Sequence, residues 1–187
     1  MLYTGKGDDG KTKTFGCDQK ISKSSAVTEA LGCLDEVNSF LGIVKINAKE
    51  LSLPGQGIKI YDLRISQIVE NIQQNLFIIQ AELAGADKKI NEEKLRECEK
   101  LISDIEKELP PIKTFFISGG TELAVLFDFA RTLARRAERR VVAVLDDNEK
   151  LGEFTLPYLN RLSSLLYALA RLSNHISGIT EEIPNYK

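Results

Sequence analysis

Apolar residues recur at steps of three and four along most of this 187-residue chain, and no other feature restricts the fold as strongly. This spacing places side chains on one face of an α-helix, whereas a half-buried strand would alternate every second residue. One such run comprises Val27, Leu31, Leu34, Val37, Leu41 and Val44. The sequence has no comparable strand alternation and no internal repeat, so it predicts an all-α protein.

Capping residues and helix breakers divide these runs into five predicted helices. We expect the first helix to run from Ser24 or Ser25 to the break at LPGQG (53–57) and the second from about 58 to about 86. The third should run from Asn91 to Pro110, the fourth from Thr121 to about Asn148, and the fifth from about Pro157 to Gly178. We expect a single domain built as an up-down five-helix bundle at 25–178. A glycine-rich loop at 1–24 precedes it, and a flexible tail at 179–187 follows.

Composition excludes several classes of protein. Lys and Arg number 25 against 27 Asp and Glu, which argues against a general nucleic-acid binder. No apolar run approaches the roughly 20 residues that span a bilayer, and the N-terminus lacks the apolar core of a signal peptide. The three cysteines, Cys17, Cys33 and Cys98, lack metal-type spacing, and His175 is the single histidine. We expect reduced thiols, a cytoplasmic location, no membrane attachment and no histidine-based metal site.

Arginine is concentrated in ARTLARRAERRV (130–141), on a chain that is weakly acidic overall. The predicted helix places Arg131, Arg135, Glu138 and Arg139 along one face, with Arg136 and Arg140 in a second row beside it. Stacked guanidinium groups suit an anion with several oxygens, because each donates in a planar fork and stays charged. The alternative is a solvated face whose arginines pair with Glu138 at helical spacing.

The N-terminal stretch TGKGDDGKTKT (4–14) has the chemistry of a phosphate-binding loop. Glycines let backbone N–H groups approach phosphate oxygens, and Lys and Thr side chains supply further donors. Asp8 and Asp9 could hold Mg²⁺, directly or through water. The spacing does not match a Walker A loop, and a polar glycine-rich terminus that is merely flexible is the alternative.

Two helical segments carry polar residues inside apolar runs. Asp35, Glu36 and Asn38 lie in ALGCLDEVNSFLG (30–42), where they are either surface charges or partners for arginines on another helix or subunit. Asn160 lies in LPYLNRLSSLLYALAR (156–171), where it either forms a polar edge or hydrogen-bonds a ligand.

Together these segments resemble the PduO-type ATP:cob(I)alamin adenosyltransferases over nearly the whole chain. The matching segments are TGKGDDG (4–10) for the family's TKxGDxG, GCLDEVNSFLG (32–42) for GxxDExNSxxG, FISGG (116–120) for the FxxPGG turn, ARTLARRAER (130–139) for ARTxxRRAER and YLNRLSSLLY (158–167) for YxNRLSDxLF. Three positions depart from the family pattern. Gly5 stands where a lysine is usual, Ser118 where a proline is usual, and Ser164 where an aspartate is usual.

The resemblance implies a site for each substrate. The ATP-binding residues would be Thr4, Gly5, Lys6, Gly7, Thr12, Lys13, Lys23, Arg135, Arg136, Glu138, Arg139 and Asn160. The residues closest to the chemistry would be Arg135, Arg131, Asp35 and Phe116. Arg131 would pair with Asp35 of a neighbouring subunit in a homotrimer with active sites between subunits, and Phe116 would face the corrin ring on the side of its lower ligand.

The implied reaction transfers the 5′-deoxyadenosyl group of ATP to cob(I)alamin and releases tripolyphosphate. Mg²⁺ would be carried mainly by the ATP phosphates, and a reductase would supply the electron that makes cob(I)alamin. Two alternatives remain at this point: a non-catalytic helical sensor or carrier that binds nucleotide or cobalamin, and a bundle that binds nucleic acid through the arginine helix. The second would show a steep salt dependence of binding.

Overall fold

Five α-helices form the protein, as the periodicity predicts. A computed structural model describes residues 2–15, 19–50, 59–60, 63–146 and 151–187. The helices are α1 (Ala26–Glu50), α2 (Ile65–Leu83), α3 (Glu92–Glu108), α4 (Glu122–Asp146) and α5 (Thr155–Ile176). The strands of the described residues are two antiparallel two-residue pairs, β1 (Lys11–Thr12) with β2 (Ile21–Ser22) and β3 (Lys59–Ile60) with β4 (Leu63–Arg64). The all-α class is confirmed.

The helices alternate in direction along the chain. Helix α1 packs against α2 and α4, α4 packs against α5, and α5 packs against α3. Helices α1 and α4 run antiparallel, because Glu29 pairs with Arg140 while Phe40 contacts Phe129. Cross-helix contacts give antiparallel directions for α1–α2 and α2–α5 in the same way, and a parallel direction for α3–α5. This is the expected up-down bundle.

The core forms where the apolar stripes of the helices meet. The stripe predicted for α4 is buried at Leu123, Phe127, Ala130, Leu133, Ala137, Val141 and Val144 and half-buried at Leu126. A buried hydrogen bond crosses the core from Asn75 Nδ2 on α2 to the Tyr158 hydroxyl on α5 at 3.0 Å. These contacts leave the polar face of α4 outside the core, which is what makes a site there possible.

Helix boundaries agree with the sequence where a local signal exists. Asn91 caps α3 as predicted, since its side chain accepts from the Lys94 N–H at 3.1 Å. The predicted start of α2 near 58 is wrong, because Lys59–Ile60 pair with Leu63–Arg64 as short strands and the helix begins at Ile65. There the Gln67 side chain accepts from the Arg64 N–H at 2.9 Å. The LPGQG break, Cys17 and Asn148 lie outside the described residues.

The C-terminal segment contacts the bundle after α5 ends. The Ile179 N–H donates to the Asn174 carbonyl at 3.0 Å, and the Ile117 N–H donates to the Glu182 carbonyl at 2.8 Å. The chain therefore contacts the bundle as far as Glu182, and the flexibility expected of the tail at 179–187 stays a prediction. None of the helices in the described ranges has the length and apolar character needed to cross a membrane.

Candidate active site

The two arginine rows of α4 face different neighbours. Arg136 donates to Glu36, and Arg140 Nε lies 3.5 Å from Glu29 Oε1. Both glutamates are on α1. The hydrogen bond to Glu36 raises the pKa of Arg136 above its ordinary value. The second row is therefore engaged in exposed ion pairs between helices, while Arg135 and Arg139 remain on the side of α5.

A polar cavity of about 440 Å³ lies between α4 and α5, lined by Arg135, Glu138, Arg139, Val142 and Asn160. Asn160 Nδ2 donates to Glu138 Oε1 at 3.0 Å, and Asn160 Oδ1 accepts from Arg161 at 2.8 Å. These two bonds fix the orientation of the Asn160 amide. Four of the predicted ATP-binding residues thus share one cavity, and Arg136 is not among them.

A wider cavity of about 570 Å³, named here the aromatic cavity, adjoins the same helices. Its walls include Phe115, Phe116 and Tyr167, and the charged residues on it include Lys113, Asp128, Arg131 and Arg135. Burial raises the pKa of the Tyr167 hydroxyl above its ordinary value. Flat aromatic walls with a few charges suit a large planar ligand with polar substituents.

Arg131 and Ser118 meet on one carboxylate in this cavity. Arg131 Nε donates to Asp128 Oδ1 at 2.6 Å, and the Ser118 hydroxyl donates to the other oxygen of Asp128. The Arg131 guanidinium also lies over the Tyr167 ring, 5.9 Å from its centroid. Asp128 therefore links the turn before α4 to the arginine row.

Arg135 lines both the polar and the aromatic cavity, and the two cavities have no other lining residue in common. A guanidinium at this boundary can contact a ligand on either side. The arrangement suits a reaction between a polyanion in one cavity and a planar partner in the other.

The N-terminal loop is ordered by backbone hydrogen bonds and by the β1–β2 pair. The Lys23 N–H donates to the Gly10 carbonyl at 3.0 Å, which brings the end of the loop back to its start. A Cβ on Gly7 would lie 2.9 Å from Lys23 Nζ, so the glycine admits the lysine side chain. Described residues of the loop line neither cavity within the same chain.

Asp9, one of the two loop carboxylates that could hold Mg²⁺, is already paired within the loop. Asp9 accepts from Lys20 Nζ at 2.7 Å and from the Lys11 N–H at 3.1 Å. The Lys20 contact lowers the pKa of Asp9 below its ordinary value. No cluster of three His, Cys, Asp or Glu side chains suited to a metal occurs among the described residues. That Mg²⁺ is carried mainly by the ATP phosphates, as the resemblance implies, stays a prediction.

Comparison with known proteins identifies the chain. The family profile described as cobalamin adenosyltransferase matches residues 2–173. The chain belongs to the cobalamin adenosyltransferase family. A corrinoid adenosyltransferase of Bacillus subtilis (strain 168) is 40% identical over 183 residues, covering 95% of this chain and 89% of the relative. The corrinoid adenosyltransferase PduO of Citrobacter freundii is 37% identical over 181 residues, covering 93% of this chain and 50% of the relative. This chain thus spans half the length of that relative.

Solved structures of cobalamin adenosyltransferases share the fold. A variant PduO-type ATP:corrinoid adenosyltransferase from Lactobacillus reuteri, complexed with cobalamin and ATP, superposes with a TM-score of 0.86 at 30% identity, covering 100% of this chain and 97% of that one. A second variant of it, also complexed with cobalamin and ATP, gives 0.84 at 31% identity and 99% coverage of both chains. These matches confirm the expected family, all-α fold and enzyme class, an ATP-dependent corrinoid adenosyltransferase.

The three departures from the family pattern have different structural settings. Gly5 has a φ of +66°, a backbone conformation that lysine would adopt only with strain, so the glycine suits this loop. Ser118 replaces the rigidity of proline with its hydrogen bond to Asp128. Ser164 is exposed and lines the aromatic cavity.

Of the remaining predicted residues, Arg131 and Phe116 line the aromatic cavity, and the others line neither cavity. Asp35 is exposed on α1, where it can meet another subunit, and Arg131 pairs within the chain with Asp128. Thr4, Lys6, Gly7, Thr12, Lys13 and Lys23 belong to the N-terminal loop. One chain brings together the arginine row and Asn160, but it does not join them to the loop.

Sequence reasoning missed Phe115, Asp128 and Arg171. Phe115 is 78% exposed and lines the aromatic cavity, and the motif itself held the signal. The FxxPGG pattern, counted back from Ser118, puts its phenylalanine at Phe115 and not at Phe116. Asp128 could have been found from its position three residues before Arg131, which is salt-bridge spacing on a helix. Arg171 gave no local signal, because its partners lie outside its own helix.

Proposed function

We propose that this cobalamin adenosyltransferase transfers the 5′-deoxyadenosyl group of ATP to cob(I)alamin between its two cavities. The polar cavity would bind ATP through Arg135, Arg139 and Asn160. The aromatic cavity would hold the corrin ring against Phe115 and Tyr167. Support comes from the chemistry of each lining and from the similar L. reuteri complexes, which contain both cobalamin and ATP.

The single observation that carries this proposal is the position of Arg135 at the boundary of the cavities. The cobalt lone pair of cob(I)alamin attacks the 5′ carbon of ATP and forms the Co–C bond. The C–O bond breaks, and its electron pair leaves with tripolyphosphate. The leaving group gains negative charge in the transition state, and a fixed guanidinium beside it stabilises that charge as it develops. Mg²⁺ on the phosphates would add to this effect.

We propose Phe115 as the apolar wedge that excludes the lower cobalt ligand. The resemblance assigns this role to Phe116, but the motif spacing and the exposure of Phe115 in the aromatic cavity favour its neighbour. Loss of the lower ligand makes cob(II)alamin easier to reduce, and a reductase would deliver the electron.

We propose further that the active site is completed in a homotrimer. The N-terminal loop of one subunit would cover ATP bound at the arginine row of the next, and Asp35 would pair with Arg131 across that contact. Supporting features are the exposed Asp35 and the large apolar side chains on α1, α2 and α4. These are Ile43, Ile46, Phe77, Val125, Phe129 and Val142, each more than 40% exposed. Sedimentation equilibrium of the full chain tests the trimer, and a monomer at assay concentration would refute it. The cytoplasmic location stays a prediction.

An anaerobic assay tests the reaction. The full chain is mixed with ATP, Mg²⁺ and chemically reduced cob(I)alamin, and visible absorbance is recorded while tripolyphosphate is measured. We expect adenosylcobalamin and tripolyphosphate in equal amounts, and neither product without protein. ATP binding without conversion would refute the enzyme and favour the sensor or carrier.

A further inference from the structure

Arg171 is a buried charge outside both proposed substrate cavities. Its side chain is only 5% exposed, although it lies on α5 at the end of the bundle that carries the Phe115–Phe116 segment. Taking a guanidinium out of water is costly unless it is paired and hydrogen-bonded. A buried guanidinium whose donors are engaged also holds its partners in place.

The partners of Arg171 come from three separate parts of the chain. Its Nε donates to Glu181 Oε1 and Oε2 at 3.1 and 2.9 Å, and a terminal nitrogen donates to the Pro110 carbonyl at 3.2 Å. The guanidinium carbon lies 5.1 Å from the centroid of the Phe116 ring, within the range of a cation–π contact. Arg171 therefore contacts the C-terminal segment at Glu181, the residues just after α3 at Pro110, and the ring of Phe116.

Phe116 and Phe115 have different surroundings. Phe116 lines a third cavity of about 440 Å³ together with Arg171 and Glu181, and Phe115 does not line it. Both phenylalanines line the aromatic cavity, but Phe115 lines only that one and is 78% exposed. The hydrogen bond from the Ile117 N–H to the Glu182 carbonyl ties down the next residue of the same segment. Holding Phe116 and Ile117 fixes the backbone from which Phe115 extends.

We infer that Arg171 and Glu181 are positioning residues, named here the Phe116 anchor, which hold Phe116 so that Phe115 excludes the lower cobalt ligand. The inference rests on the wedge role proposed for Phe115. The anchor acts on the coordination of cob(II)alamin and not on adenosyl transfer itself. It also gives the C-terminal segment a part in the reaction, because Glu181 follows α5.

The test measures the ratio of four- to five-coordinate cob(II)alamin by electron paramagnetic resonance, with the full chain, saturating ATP and cob(II)alamin. Glu181→Gln removes the ion pair, and Phe116→Leu removes the aromatic face while keeping the Arg171–Glu181 pair. Phe116→Leu should lower the ratio about tenfold, which lies within the range of cation–π contacts. Glu181→Gln should lower the ratio in the same direction. Glu181→Gln should still convert chemically reduced cob(I)alamin at a rate near that of the wild type.

Glu182→Gln is the matched control, because the Glu182 contact uses its backbone carbonyl and its side chain is exposed. It should leave the ratio unchanged, and a loss equal to that of Glu181→Gln would overturn the anchor. Phe115→Ala separates the two proposals. If it lowers the ratio while Glu181→Gln and Phe116→Leu do not, the anchor is wrong and the wedge stands. If Phe115→Ala leaves the ratio unchanged, the wedge is wrong and the anchor falls with it.

Discussion

Gly120→Ala should destabilise the protein strongly, because this glycine packs against a buried amide. Gly120 has a φ of +97°, and a Cβ there would lie 2.2 Å from Asn174 Oδ1. Asn174 is 7% exposed and accepts from the Thr121 N–H at 2.9 Å while donating to the Gly119 carbonyl at 3.0 Å. Alanine would have to displace this side chain.

The cost follows from two terms. A non-glycine residue in the left-handed region costs about 1–2 kcal/mol. Loss of the two Asn174 hydrogen bonds costs roughly 1 kcal/mol each. We expect the free energy of unfolding to fall by about 3–4 kcal/mol and the turn that follows the Phe115–Phe116 segment to become less rigid.

Urea unfolding followed by circular dichroism at equal protein concentration measures this difference from the shift in midpoint at constant m-value. Gly119→Ala is the matched control, because no atom lies within 4 Å of a Cβ built there and its φ is outside the left-handed region. It should change stability by less than about 1 kcal/mol. Equal effects at the two glycines, or a loss below about 1 kcal/mol for Gly120→Ala, would refute the steric reasoning.

Three further predictions concern the arginine row and the core. Arg135→Ala should lower kcat about 10²–10³-fold with helicity retained, the range seen when a transition-state donor is removed; Arg140→Ala, which removes only an exposed pair with Glu29, should change it little. Loss of helicity in Arg135→Ala would make this arginine structural. Burial raises the pKa of Cys98 to about 12, against an ordinary value of 9.0. The unfolded thiol therefore ionises near pH 9 while the folded thiol stays protonated, so stability should fall as pH rises above 9, and less steeply in Cys98→Ala. Identical slopes in urea midpoints between pH 8 and 10.5 would contradict this. Tyr158→Phe removes the acceptor of Asn75 Nδ2, which is 3.0 Å from the hydroxyl, and should cost about 1–3 kcal/mol in thermal unfolding. An unchanged midpoint would mean that Asn75 finds another partner.

The sequence alone determined the helical class and the composition of the arginine row. Both depend on spacing within one helix, where residues three and four apart share a face whatever surrounds them. Asn91 as the cap of α3 was predictable for the same reason, since its partner Lys94 is three residues away. The family motifs added the identity of the substrates, which no periodicity contains.

Tertiary structure decided which arginines are available. Arg135 and Arg136 are neighbours in sequence, yet Arg135 lines both cavities and Arg136 pairs with Glu36, 100 positions away. The rotation of α4 between α1 and α5 sets this difference, and rotation follows from packing of whole helix faces. A contact between residues far apart in sequence also places Phe116 against the Arg171 guanidinium, while Phe115 lines the aromatic cavity. Spacing along one helix identifies the candidate site residues, but the partner of each side chain depends on how the helices pack.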